Sequence, residues 1–256
     1  QSSRISAFDA EIIIETRNRA RAQEPLGVFA ITGDVVTQRL MPDARDLEKD
    51  LPNIPIKARW HQGIPAINFD LMPLKFRSYQ EDPNGRLYIW KFPETDAKYA
   101  IGVDTSDGIG QDRSIIQVVR LKDPFKPNEL DEQVAEFASP YVNARDMWPL
   151  CLAVGSMYSV PVGGKVEQIR QVIECNGNGE SIQYELRKLG WWHFHPWQHY
   201  DSKKPYRQSQ KIGWFTNIRT RGMAVDTILT AVRDGWLQIN SPWFVDEMED
   251  FERDEF

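Results

Sequence analysis

Residues 98–119 read KYAIGVDTSDGIGQDRSIIQVV, and this stretch decides the fold. Its first part, 98–104, is rich in branched and aromatic residues and reads as a strand that ends on Asp104. Thr105, Ser106, Asp107, Gly108, Gly110 and Asp112 follow, and 114–121 reads as the next strand. A carboxylate at a strand's end is held rigidly, with its head at the mouth of the sheet. A glycine-rich turn beside it keeps bulky side chains away and lets a large polyanion approach. Taken alone, the same letters also serve as a hairpin turn. Asp104, Asp107 and Asp112 do not have the spacing of an EF-hand calcium loop, and no bidentate Glu follows at its last position.

A second stretch repeats the design. In QVIECNGNGE, residues 171–180, Glu174 ends an apolar run and Asn176, Gly177, Asn178 and Gly179 open a helix. A plain helix-start loop is the alternative. Adjacent strand ends would bring Asp104 and Glu174 close, and two carboxylates repel unless a proton or a cation lies between them. Oxygen donors without His or Cys favour Mg²⁺ or Mn²⁺. Such metals act on phosphates, often as a pair about 3.5–4 Å apart.

Outward from these acids, strands are expected at 86–92, 114–121, 132–138, 169–174, 191–194, 211–215 and 236–239. Helices are expected at 5–22, 146–158, 179–189 and 219–233, with another starting near Pro242. In the second helix Pro149 is tolerable only in the first turn. A short strand is expected at 28–32. Residues 33–85 are punctuated by prolines and show poor periodicity, so they read as a linker or subdomain. Three consecutive strands followed by alternating helix and strand imply an α/β fold, a mixed sheet with helices on its faces.

The 256 residues include 41% hydrophobic and 27% charged ones, values of a soluble globular protein. No run approaches the roughly 18 apolar residues of a membrane span. The start, QSSRISAFDAEIII, lacks the basic end and apolar core of a signal peptide. The net charge of −6 is located: Asp246 to Phe256 holds seven acids and one Arg, so the rest is neutral. A neutral body can still bind nucleic acid through a local basic face. Two cysteines, Cys151 and Cys175, read as packing residues in a reducing compartment.

Four segments together resemble the nuclease domain of the phage terminase large subunit, the DNA-packaging motor protein. They are KYAIGVDTSDGIGQDRSIIQVV, QVIECNGNGESIQYELRKLG, KIGWFTNIRTRGMAV and DGWLQINSPWFVDEMEDF, in family order and covering, with their spacing, about two thirds of the chain. The resemblance implies an RNase H-like fold and two-metal phosphodiester hydrolysis with Mg²⁺ or Mn²⁺. By it, Asp104 matches the first metal-binding aspartate and Glu174 the second acid, while Asp112 and Ser114 match the loop supporting the first. It implies residues 1–85 as a helix and connecting segment from an ATPase motor, and 86–256 as the nuclease domain. The partners it implies are double-stranded DNA, the portal, the small terminase subunit and the motor, at the viral procapsid in the host cytoplasm.

The chain departs from the family in two ways. The third acid, usually in a His-Asp-Asp-like pattern after the helix of Glu247 to Phe251, is not visible. Asp250 or Asp254 could substitute but sit early, so the expectation is a domain truncated before its last helix. There is also no G-x-x-x-x-G-K-[ST] phosphate loop, since Gly163-Gly164-Lys165 lacks the spacing, and hence no ATP site. Other RNase H-like nucleases, such as junction resolvases, and a non-catalytic DNA-binding module of the packaging assembly remain as alternatives.

Two further clusters stand out. Lys203, Lys204, Arg207 and Lys211 bracket an aromatic loop, and Arg219 and Arg221 begin the next helix. They are the candidate phosphate-gripping residues, with a solvated charge cluster as the plainer reading. His193, His195 and His199 lie in WWHFHPWQHY, but no near Cys completes a four-ligand zinc site, so this reads as an aromatic strand and loop.

Overall fold

The computed structural model describes residues 10–31, 59–61, 64–66, 79–81, 86–108, 110, 112–162, 165–198 and 208–250. Its centre is an antiparallel meander of β6 (Lys98–Asp104), β7 (Ser114–Leu121) and β8 (Asp131–Ser139). Asp104 pairs with Ile115, which pairs in turn with Ala138. Helix α2 (Ala144–Tyr158) then crosses over, and β11 (Arg170–Ile173) returns parallel to β6 with Ile173 beside Val103. Phe194 bridges Gln171 in parallel, on the side of β11 away from β6. The order β8-β7-β6-β11, antiparallel for three strands and parallel for the fourth, is an RNase H-like mixed sheet.

Beyond β8 the sheet continues through β5 (Leu87–Ile89), β1 (Gly27–Ile31) and β4 (Tyr79–Glu81), while β14 (Leu237–Gln238) pairs with the start of β8. Three short antiparallel pairs stand apart from it: β2 (Arg59–His61) with β3 (Ile64–Ala66), β9 (Pro161–Val162) with β10 (Lys165–Val166), and β12 (Pro196–Gln198) with β13 (Gln208–Ile212).

The two-residue period of a strand sorts side chains between two faces. On one face Tyr99, Ile101 and Val103 of β6, Ile116 and Val118 of β7 and Phe137 of β8 are buried. They pack with Met147, Leu150, Cys151 and Val154 of α2 and with Ile182 and Leu186 of α3 (Gly179–Lys188). Fully burying one such aliphatic side chain contributes about 1.5–3 kcal/mol, so this face anchors the strand ends that carry the acids.

The opposite face carries Gly102 and Asp104 of β6, Gln117 of β7 and Glu136 of β8, which the register sets side by side. It is polar, exposed at Gly102 and Asp104 and covered at its β8 side. α5 (Pro242–Asp250) docks here through a buried network. The Gln133 carboxamide oxygen accepts both the Asn240 and the Ser241 backbone N–H, at 2.9 and 2.7 Å. Its nitrogen donates to Gln117 at 2.6 Å and to Glu136 at 3.3 Å. A bulge between Val118 and Val119 lets Gln133 and Glu136, three apart, reach each other. A smaller apolar cluster joins α5 to α1 (Ala10–Arg21) and α4 (Ile218–Arg233): Val245 and Met248 meet Ile13, Ala20 and Val232.

Strands 98–104 and 114–121 form as the sequence predicts. Helix α2 starts at Ala144, earlier than expected, because the Asn143 side chain caps it by accepting the Arg145 and Asp146 amides. Pro149 therefore sits inside the helix. Residues 191–194 contribute an isolated bridge rather than a strand, since Phe194 alone pairs with Gln171. The strand expected at 211–215 lies at 208–212, and Gly213 at φ 95° ends it. Residues 5–9 of the first expected helix and much of 33–85 lie outside the described residues.

Candidate active site

Asp104 and Glu174 leave the sheet at the same level. The Glu174 amide donates to the Val103 carbonyl at 2.9 Å, continuing the β11–β6 ladder by one residue. Glu174 is the residue that acts most on the Asp104 carboxyl. Asp104 keeps contact with solvent, but the packed strand ends around it still desolvate its carboxyl, and this is the largest effect on it. Burial, then the hydrogen bond and charge of Glu174, push Asp104 up from 3.8 to about 7, against a pull from the Thr105 amide, which donates to Oδ1 at 2.7 Å. A carboxyl raised in this way by a second one beside it favours a proton or a cation between them.

The loops behind both acids are fixed. Ser114 is fully buried, and its hydroxyl donates to the Val142 carbonyl at 2.6 Å while accepting the Ser106 amide at 2.9 Å. This ties the turn after Asp104 to the start of α2. A polar cavity of about 270 Å³ opens there between Ser106, Asp107, Asn143, Arg145 and Asn178. Asp112 is exposed on the same loop. Behind Glu174, a Cβ on Gly179 would stand 1.7 Å from the Glu174 carbonyl oxygen, so only glycine lets α3 begin this close. Gly213 has φ 95°, and a Cβ there would meet Cys175 Sγ at 2.3 Å and the Ile173 carbonyl oxygen at 2.7 Å. Trp214 can then bridge Glu174, donating to Ile173 and accepting from Cys175.

Asn176 exchanges two hydrogen bonds with the Thr216 backbone. α4 starts two residues later, capped by Asn217 and Thr220. Arg219 and Arg221 therefore stand in its first turn, near the loop that follows Glu174, and both are exposed. Lys211 is exposed, with its ammonium 5.0 Å from the Phe215 ring centroid. Phe215 and Trp214 both pack edge-on against Trp197. Lys203, Lys204 and Arg207 lie outside the described residues.

One acid was missed from the sequence. Glu247 of α5 is the next charge after Glu174 that raises Asp104. Its own carboxyl is raised by burial and by Glu136, against the nearby Arg113. Its signal was the Glu-Met-x-x-Phe run, which contains it. Asp250 closes the same helix and Asp254 lies outside the described residues. Among the described residues no group of three or more His, Cys, Asp or Glu side chains gathers to hold a metal ion. Two carboxylates at neighbouring strand ends are hard oxygen donors that fit Mg²⁺ or Mn²⁺.

Of the other sequence candidates, His193 has side-chain partners, whereas the buried His195 Nε2 has none among the described residues and His199 lies outside them. His193 Nδ1 meets the Gln168 carbonyl, and the Arg170 guanidinium donates to its Nε2 at 3.3 Å. His195 is pushed down by burial. Cys151 is buried against α3 and the sheet, and burial pushes the Cys175 thiol up to about 11. No described helix is long and apolar enough to cross a membrane.

The sheet order is that of an RNase H-like α/β fold. No protein-family model matches the chain, and no curated protein matches it. Among solved structures it is similar to the large terminase nuclease from thermophilic phage G20c with bound magnesium, at 16% identity and a TM-score of 0.47, over 68% of this chain and 75% of that one. The same nuclease with bound zinc gives 16% identity and a TM-score of 0.45, over 66% and 80%. The Thermus phage P74-26 large terminase nuclease domain gives 14% and 0.44, over 66% and 70%.

Proposed function

We propose that this chain carries the metal-dependent endonuclease module of a viral DNA-packaging terminase, cutting double-stranded concatemeric DNA during genome packaging. The observation that carries the reading is the placement of Asp104 and Glu174 at neighbouring parallel strand ends, fixed by the Glu174 amide on the Val103 carbonyl. In this reading residues 86–256 are the nuclease and 1–85 connect it to an ATPase motor. DNA, portal, small subunit and motor are its partners at the procapsid in the host cytoplasm.

Asp104 and Glu174 would hold the divalent cations, with Asp112 in support and Asp250 or Asp254 as weaker candidates. When bound, Mg²⁺ or Mn²⁺ supplies an activated water and stabilises the leaving oxygen. The chain's own part is positional. Ser114 and Gly179 fix the two acid-bearing loops, and the open side of Gly102, with nothing within 4 Å of a Cβ, leaves room beside Asp104. Lys203, Lys204, Arg207, Lys211, Arg219 and Arg221 grip backbone phosphates.

The absence of a three-ligand group among the described residues favours a second reading, a non-catalytic DNA-binding module. Plasmid nicking with Mn²⁺ separates them. The nuclease reading expects nicking by the wild type and none by Asp104→Asn. DNA binding with no metal-dependent nicking supports the second reading, and equal nicking by both proteins removes Asp104 from the chemistry.

A further inference from the structure

Two loops leave the acid pair, and one cavity lies between them. The turn after Asp104 lends Ser106 and Asp107, the turn after Glu174 lends Asn178, and the start of α2 lends Asn143 and Arg145 to a polar cavity of about 270 Å³. Its walls are fixed by backbone contacts. Ser106 bridges Asn143 in parallel, the Gly110 amide donates to the Pro140 carbonyl at 2.9 Å, and a Cβ on Gly108 would stand 2.7 Å from the Asn143 nitrogen. Part of the lining is already engaged. The Asn143 carboxamide accepts the Arg145 and Asp146 amides and donates to the Asp146 carboxylate at 2.8 Å, and Ser106 Oγ meets Ser114 Oγ at 3.2 Å. What is left for a ligand is the Arg145 guanidinium and the Asn178 side chain, which makes no cap hydrogen bond. Arg145 is exposed and has no ion pair among the described residues, although Asp107 lines the same cavity. On the opposite flank of Glu174, Trp214 donates to the Ile173 carbonyl and accepts the Cys175 amide, and α4 with Arg219 and Arg221 starts just beyond it.

A guanidinium with a carboxamide donor beside it suits an oxyanion, and its planar fork matches phosphate bidentately. We infer that this cavity is a phosphate subsite, in which Arg145 and Asn178 hold a backbone phosphate of the DNA strand next to the phosphodiester presented to Asp104 and Glu174. The inference rests on the nuclease reading of the acid pair. Arg219 and Arg221 then flank the pair from the Trp214 side and Arg145 from the side of the Asp104 loop, so the strand is gripped on both sides of the reacting bond. Asp107 opposes the anion, which keeps this grip weak and gives the subsite a second test of opposite sign.

The test uses the full chain and a short DNA duplex. Binding is read by fluorescence anisotropy without metal over a range of salt, and nicking is read with Mn²⁺ at saturating DNA. Arg145→Ala should lower the slope of log K against log salt by about 0.9 and weaken binding about three- to tenfold. At saturating DNA it should still nick at least about fivefold more slowly, because the strand is bound but misplaced. Arg145→Lys should recover the slope while nicking stays slow, since a point charge meets phosphate without the fixed fork. Asp107→Asn should tighten binding about two- to threefold. An unchanged slope in Arg145→Ala, a slope that Arg145→Lys does not recover, or weaker binding by Asp107→Asn overturns the inference. A lost slope with wild-type nicking at saturation places the phosphate away from the reacting bond and overturns it as well. A wild type that binds the duplex and does not nick overturns the nuclease reading, and the metal-free slope of Arg145→Ala then still decides whether the cavity takes a phosphate. A wild type that binds no duplex overturns both.

Discussion

The Val103 carbonyl accepts the Glu174 amide at 2.9 Å, so Asp104 and Glu174 leave parallel neighbouring strands side by side. Their closeness is a property of backbone register, which is stiffer than any side-chain contact. A proton or a cation between two such carboxylates relieves their repulsion.

The raised Asp104 carboxyl has a pH signature. Asp104 is at about 7 in the fold against an ordinary value of 3.8. The native state therefore binds more protons than the unfolded chain between about pH 4 and 7, and its stability falls as pH rises through that window. Asp104→Asn removes the strain. After discounting for solvent screening it should be about 1 kcal/mol more stable than wild type at pH 8 and equal to it below pH 4. Thermal unfolding at the two pH values checks this. A gain that is the same at both pH values contradicts it.

Mn²⁺ should raise the wild-type melting temperature and leave Asp104→Asn unmoved, since a ligand that binds only the folded state stabilises by mass action. Equal shifts in both proteins would place the cation elsewhere.

Loss of either acid should remove chemistry while sparing affinity. Asp104→Asn and Glu174→Gln should each lower the cleavage rate by at least about 100-fold and leave the DNA dissociation constant within about twofold. Parallel losses of rate and affinity would mean that the acids organise the DNA surface instead.

Salt dependence locates the DNA. Each lost phosphate contact lowers the slope of log K against log salt by about 0.9. Replacing Lys203, Lys204 and Arg207 with Ala should flatten it by about 2–3. Replacing Arg219 and Arg221 should do so by about 2. An unchanged slope in both variants would move the groove to another face.

Gly213→Ala should destabilise the fold by about 2 kcal/mol or more, because the position has a positive φ and its Cβ would strike the Ile173 carbonyl. A loss under about 0.5 kcal/mol, read from urea unfolding, would show that the Trp214 bridge shifts freely.

The strands around Asp104 and the acid ending β11 were legible because alternation and glycine-rich loops are local signals. The start of α2 was misplaced because Asn143 outweighs Pro149 as punctuation: a cap satisfies two amides, whereas one internal proline forfeits one bond. Residues 191–194 look like a strand from composition, but only Phe194 finds a partner. Glu247 was illegible as a neighbour of Asp104, because that relation depends on how α5 docks through Gln133, which is distant in sequence.

The Gln133 carboxamide that accepts two amides of the α5 entry also sets an order of assembly. Glu132, Gln133 and Glu136 are buried in the fold, yet their covering residues, Asn240 and Ser241, are made more than a hundred residues later. While the chain is being synthesised, the meander can close on α2 and α3, but its other face stays wet until residue 241 has emerged. Contacts of such sequence separation form slowly. α5 should therefore dock last and leave first, so that partial unfolding opens the acid face while the opposite core is still closed.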